Sequence, residues 1–342
     1  MLTLAQAFTD KGHAVDLVLA RAEGPLLARV SSSVTVVDLQ APASTRSSLL
    51  FATVTVLRLA RYLRARRPRA VLSSITGMNL ATIFARSLAR SRRRLAVRED
   101  VALQNVTARS RLWLMKRLYP KADAVIALNR EMCLELERIC YPTTNLRVIP
   151  NAINTAEIRK LSEATLDHPW VAEDAPYVIS AGRLCPQKDF GTLITAFSRV
   201  PPPLRLVILG EGPARKALEH RIHTLGLAQR VLLAGYDPNP YRWMTRARAF
   251  VLSSRWEGFG LVLAEALALG IPVVSTDCPN GPAEVLGQGR WGRLVEIGNV
   301  EAMRRAIEDA CSAPADANAL RARAADFDAS AIADRYLEIL FN

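Results

Sequence analysis

The chain has 342 residues, half of them hydrophobic, and carries 45 Lys and Arg against 32 Asp and Glu, a formal net charge of +13. That length fits about two domains, each able to bury a core, and the apolar content argues against disorder. Five scattered cysteines with no Cys-x-x-Cys, and only four histidines, argue against a disulfide framework or structural zinc and fit a reducing cytosol.

Met1 to Ala20 reads as a helix, its Gly12 stop and a strand. Leu49 to Leu63 has the pattern of an amphipathic helix whose arginines snorkel beside an apolar face. Ala124–Leu128 and Leu146–Ile149 read as short buried strands around a helix from Arg130 to Ile139, a β-α-β rhythm. A domain boundary is expected near Pro150–Asn154, followed by polar linker residues at 166–169 and 173–176. The division adopted is a first domain over 1–165, rejoined by a last helix over 326–342, and a second domain over 166–325. No stretch reaches the ~20 apolar residues of a spanning helix, and the amino terminus lacks signal-peptide form. Leu261 to Ser275 comes nearest but contains Glu265.

Charge is divided unevenly. Residues 1–165 hold 26 Lys and Arg against 12 Asp and Glu, whereas 166–342 hold 19 against 20. The excess clusters between Arg58 and Arg69, between Arg86 and Arg98, and between Arg109 and Lys121, where Trp113, Leu114 and Met115 interleave. An anionic membrane surface fits such a face, at about 1 kcal/mol per basic residue near the lipid. The plain alternative is a set of solvated helix faces. Nucleic acid is not expected, since no recognition motif accompanies the charge.

The second half carries two informative clusters. Tyr177 to Ala181 reads as a strand, Gly182 as a turn, and Arg183 and Lys188 precede a helix opening near Phe190. Arginine grips phosphate oxygens bidentately and lysine adds a point charge, so the pair suits a diphosphate, although a solvated basic loop would look alike. Val251 and Leu252 then read as a strand end, and Leu261 to Leu269 as a helix stopped by Gly270 and Pro272. Gly258 and Gly260 lie at the turn, and the amides around Phe259 to Leu261 would be unpaired first-turn donors for an anion. Glu257 and Glu265, with seven residues between them, would reach different parts of one elongated ligand. Taken alone, the spacing favours an exposed loop acid and a solvated helix residue, since Glu is common on helices.

Together these segments resemble the retaining glycosyltransferases of GT-B type, family 4, whose Gly-Arg-Leu-x-x-x-Lys and Glu-x7-Glu motifs match Gly182 to Lys188 and Glu257 to Glu265. Leu206 to Pro213, Leu232 to Tyr236 with Asn239-Pro240-Tyr241, and Thr276 to Leu286 are similar to further family segments, in order. The resemblance implies an α/β fold of two Rossmann-like, doubly wound domains facing a cleft, the first binding acceptor and the second nucleotide-sugar. It assigns the diphosphate to Arg183 and Lys188, the transferred sugar to Glu257 with the Gly258, Phe259, Gly260 and Leu261 backbone, and the ribose to Glu265. Gly182, Gly210 and Tyr236 join the donor site. On the acceptor side it points to Arg98, Glu99 and Asp100, which also read as an ordinary polar turn.

The implied reaction moves a hexose or N-acetylhexosamine from a UDP-sugar to a lipid-linked or polysaccharide acceptor at the cytoplasmic membrane face. No Asp-x-Asp follows a strand, so no metal and no cofactor are expected. Competing readings are a catalytically silent sugar-nucleotide or membrane-binding protein and another GT-B enzyme, such as an epimerase or a glycogen-type synthase. One departure stands out. A doubly wound domain opens with a strand and a glycine-bearing turn, but here the helix comes first, so the first domain is expected to lack its opening strand. A start placed late by on the order of 20 residues would account for this.

Overall fold

A computed structural model describes residues 1–42, 48–100, 109–140, 145–172, 175–312 and 315–341. The chain forms two compact units, Met1–Ala152 with Ala329–Asn342, and Ile153–Asp328.

The first unit runs α1 (Leu2–Asp10), β1 (Asp16–Leu19), β2 (Thr35–Asp38), α2 (Ser48–Arg66), β3 (Ala70–Ser74), α3 (Thr76–Leu88), β4 (Arg94–Arg98), α4 (Arg109–Leu118), β5 (Ala124–Ala127), α5 (Arg130–Cys140) and β6 (Leu146–Val148). Its strands lie in two parallel sheets, β1-β2 and β3-β4-β5-β6. Alternation along each strand sends side chains to both faces. Val18 and Val71 pack with Leu59 and Leu63 of α2, while Val15, Ala70 and Leu72 pack on the opposite core with Leu4 and Phe8 of α1. β1 with the preceding Val15, and β3, thus meet both helical layers, yet no ladder joins them among the described residues. A doubly wound order places its opening strand at that position.

The second unit runs α6 (Thr155–Ser162), α7 (Pro169–Ala172), β7 (Tyr177–Ala181), α8 (Phe190–Phe197), β8 (Arg205–Leu209), α9 (Arg215–Thr224), β9 (Val231–Gly235), α10 (Tyr241–Met244), β10 (Ala249–Leu252), α11 (Leu261–Leu269), β11 (Val273–Thr276), α12 (Pro282–Val285), β12 (Arg293–Val295), α13 (Val300–Ser312) and α14 (Ala317–Ala325). Six parallel strands lie in the order β12-β11-β10-β7-β8-β9. The order reverses between β7 and β10, where helices diverge to opposite sides and a crevice opens at the carboxyl ends of the strands. Val178, Phe197, Leu206, Val251 and Ile307 anchor a core between strands and helices.

The final helix, α15 (Ala329–Phe341), packs Ile332, Tyr336 and Leu340 with Leu4, Phe8 and Ile126 in the first unit. The units divide within Pro150–Asn154, earlier than the 165/166 division drawn from sequence. Helix α6, capped by the Asn154 side chain on the Glu157 amide at 3.0 Å, accounts for the difference. It belongs to the second unit, where the Leu161 carbonyl accepts from Asn239 Nδ2 at 2.8 Å. Part of the expected linker is helical as α7, and residues 173 and 174 lie outside the described residues.

Candidate functional site

The carboxyl ends of β7 and β10 lie side by side, through the pairing of Ala249 with Val178 and Phe250 with Ile179. Ser180 Oγ on β7 donates to the Val251 carbonyl on β10 at 2.6 Å. Beyond these strands, two turns are stitched together. The Arg255 amide donates to the Gln187 carbonyl at 2.8 Å, Gln187 Nε2 to the Trp256 carbonyl at 2.8 Å, and Ser253 Oγ to the Lys188 carbonyl at 2.8 Å. Arg255 also pairs with Asp189 at 3.0 Å. The predicted diphosphate and sugar motifs, far apart in sequence, therefore share one rigid loop cluster.

Lys188 and Glu257 meet within it, Nζ to Oε1 at 2.5 Å. Ser254 Oγ donates to the same carboxylate oxygen at 2.6 Å. Glu257 is buried, so the loop-acid reading fails; a charge held there requires such partners. Cys278 lies close enough for burial and the Glu257 charge to push its thiol up to about 12. Arg183, in contrast, is exposed, and no hydrogen bond or ion pair engages it among the described residues. The cluster thus presents two paired cations, Lys188 and Arg255, and one unengaged cation, Arg183.

Gly260 caps α11 in the left-handed region at φ +79, leaving the first-turn amides at Leu261 directed out of the helix end. Phe259 is buried edge-on against Phe327, ring centroids 5.6 Å apart, which pins the turn. On α11, Leu263, Ala264 and Ala266 to Leu269 are buried, whereas Glu265 lies on the half-buried side. Tyr241 OH donates to Glu265 Oε1 at 3.2 Å. Gly210, at φ +135, brings the β8 turn so close to Gly182 that a Cβ would stand 2.0 Å from the Gly182 carbonyl oxygen. Glycine is required there by contact between two backbones. Tyr236, 73% exposed, projects from the end of β9.

In the first unit the carboxyl end of β4 carries Arg98, Glu99 and Asp100. Glu99 is fully buried and accepts from Thr76 Oγ1 at 2.9 Å, Asn79 Nδ2 at 3.1 Å and the Tyr119 hydroxyl. Burial pushes its carboxyl above the usual range, opposed by those hydrogen bonds. Arg98 is also buried and pairs with Asp100, which accepts from Ser74 Oγ and keeps an edge in solvent. Of the three, Asp100 is the group open to a ligand, and Glu99 works inward by holding the start of α3. The adjoining Ile75 sits at φ +75, an uncommon conformation for a β-branched residue.

Motif spacing missed Gln187, Ser253 and Ser254, and gave Tyr241 only as part of a loop similar to a family segment, without its contact to Glu265. Ser253-Ser254 directly after an apolar strand was the available signal, because polar residues at the carboxyl end of a buried strand border a crevice. Among the described residues no group of three or more His, Cys, Asp and Glu could hold a metal ion, and no helix is long and apolar enough to cross a membrane.

Comparison with known proteins bears on the family and the fold. Residues 165–327 match the family model for glycosyl transferases group 1, and residues 1–157 match that for glycosyltransferase family 4. The chain is 34% identical over 233 residues to the N-acetylgalactosamine-N,N'-diacetylbacillosaminyl-diphospho-undecaprenol 4-alpha-N-acetylgalactosaminyltransferase of Campylobacter jejuni, covering 67% of this chain and 62% of that protein. It is 38% identical over 204 residues to the lipopolysaccharide core biosynthesis glycosyltransferase LpsE of Rhizobium meliloti, covering 57% of each. The match thus spans less than two thirds of either relative. Among solved structures, Anabaena HepE in complex with UDP-glucose superposes with a TM-score of 0.79 at 22% identity, over 99% of this chain and 94% of that one. The lipopolysaccharide outer core galactosyltransferase WaaB gives 0.78 at 17% identity, over 99% and 93%. These likenesses carry the GT-B fold. With the ordered motifs and the two family models, the chain belongs to the family 4 glycosyltransferases, glycosyl transferases group 1.

Proposed function

We propose that this protein is a retaining, metal-independent glycosyltransferase that moves a hexose or N-acetylhexosamine from a UDP-sugar to a lipid-linked or polysaccharide acceptor at the cytoplasmic face of the membrane. The carrying observation is the convergence of Arg183, Lys188, Glu257 and the start of α11 at the β7/β10 reversal. Relatives named for undecaprenol-linked and lipopolysaccharide chemistry, and a neighbour solved with UDP-glucose, support the choice of acceptor and base.

Departure of UDP places negative charge on the β-phosphate while the sugar gains oxocarbenium character. Arg183, Lys188 and the first-turn amides of α11 supply fixed positive potential to the leaving group, the preorganised electrostatics that lowers such barriers. Glu257, oriented by Ser254 and Lys188, accepts from sugar hydroxyls, and Glu265 accepts from the ribose. With no enzymic nucleophile invoked, the leaving phosphate takes the acceptor proton and attack proceeds on the face it departs from. The basic first unit holds the acceptor and meets anionic lipid.

The alternative is a sugar-nucleotide-binding protein without turnover. Incubation with UDP-sugars and extracted bacterial lipid acceptors decides between them. UDP release undiminished by EDTA is expected; UDP binding with no release supports the silent protein, and loss of release with EDTA refutes metal independence.

A further inference from the structure

The β9–α10 connection is held more firmly than a surface turn needs to be. Asp237 Oδ2 accepts from Arg242 Nη2 at 2.8 Å, from Arg242 Nε at 3.2 Å and from Trp243 Nε1 at 2.8 Å, while Oδ1 accepts from the Asn239 amide at 2.8 Å. Burial opposes ionisation of this carboxyl, but the bonds from Arg242, Asn239 and Trp243 prevail and hold it below the usual carboxylate range. Asn239 Nδ2 and Arg242 Nη1 tie the same turn to the Leu161 and Thr165 carbonyls at 2.8 and 3.2 Å. The short helix α10 is therefore fixed in position. Its first residue, Tyr241, donates to Glu265 Oε1 at 3.2 Å from a turn that cannot readily follow a moving carboxylate.

We infer that Tyr241 is a positioning residue that sets the nucleotide's sugar specificity, by holding the Glu265 carboxylate in the one orientation that accepts from both hydroxyls of a ribose. The inference rests on the reading that Glu265 holds the donor ribose. A glutamate on a helix has several rotamers of similar energy, and a bidentate grip on two neighbouring hydroxyls needs one of them. A phenol performs this without neutralising the carboxylate, whereas a lysine or arginine at the same place would compete with the ribose by an ion pair. The consequence is discrimination between ribose and deoxyribose that depends on the Tyr241 hydroxyl.

The test is calorimetric titration of UDP and 2′-deoxy-UDP into wild type, Tyr241→Phe and Glu265→Gln, read as the ratio of the two dissociation constants. Wild type is expected to favour UDP, Glu265→Gln to bring the ratio close to one, and Tyr241→Phe to lower it by about three- to ten-fold, the worth of one hydrogen bond. A purely structural role would weaken both nucleotides alike and leave the ratio unchanged; that result, with Glu265→Gln collapsing the ratio, overturns the inference alone. An unchanged ratio in Glu265→Gln, or no binding of UDP by the wild type, overturns the ribose reading and the inference with it. Should Tyr241→Phe not fold, Asp237→Asn, which loosens the turn and leaves both side chains in place, is expected to lower the ratio in the same direction, and an unchanged ratio there overturns the inference.

Discussion

Lys188 Nζ lies 2.5 Å from Glu257 Oε1, so the cation expected to face a diphosphate and the carboxylate expected to face a sugar form one ion pair. Their side chains are 16% and 9% exposed, so neither charge is well solvated without the other. Lys188→Met leaves a buried carboxylate with Ser254 as its remaining donor in this trio and is expected to cost about 3 kcal/mol of stability. Glu257→Gln keeps the Ser254 contact but leaves the Lys188 ammonium without its counter-ion, and is likewise expected to cost about 3 kcal/mol. Urea unfolding of both variants measures this; wild-type stability in Lys188→Met would show that the pair does not form.

The pairing explains what could and could not be read from the sequence. Helix α11 was legible to the residue, because Gly260, Gly270 and Pro272 punctuate an apolar run. The strands flanking Arg183 and Glu257 were legible from their apolar character. The contact between Lys188 and Glu257 was not, because it depends on the strand order reversing between β7 and β10, which no local pattern encodes. Helix α6 was assigned to the wrong side of the boundary for a related reason. It lies between the expected boundary at Pro150–Asn154 and the expected linker, and the tertiary contact with Asn239 shows which core it serves. Glu99 reads as part of a polar turn with Asp100, but it is buried just past β4, where Thr76, Asn79 and Tyr119 from other parts of the chain donate to it, partners that no local pattern names.

Glu99 gives a pH-dependent prediction. An unfolded glutamate titrates near about 4.3, and burial raises the folded value above that. Between the two values the folded state binds the proton more tightly, so stability falls as pH rises through this window, and the penalty is complete above the folded value. Glu99→Gln removes this component whatever its constant offset. Thermal midpoints measured from pH 4 to 7 should therefore decline for wild type relative to Glu99→Gln, and parallel curves would contradict the assignment.

Membrane contact can be examined on α4, where Arg109, Arg111, Trp113, Lys116 and Arg117 are all exposed and the Arg117 guanidinium stands 5.5 Å from the Trp113 ring centroid. Vesicles containing anionic phospholipid should float the protein at low salt and release it as salt rises. Arg111→Gln and Lys116→Gln should each weaken capture, by about 1 kcal/mol or roughly five-fold. Equal capture by neutral vesicles would show that charge is not the driving contact.

The donor site itself is best tested through Arg183, the exposed cation that no partner engages among the described residues. Removing it should leave folding untouched while deleting a charge-assisted contact to the diphosphate. Calorimetric titration of UDP into wild type and Arg183→Ala is therefore the most direct measurement. An unchanged thermal midpoint with affinity lowered by roughly ten-fold or more is the expected result. Equal affinity in the two proteins would contradict the placement of the donor diphosphate at the β7/β10 reversal.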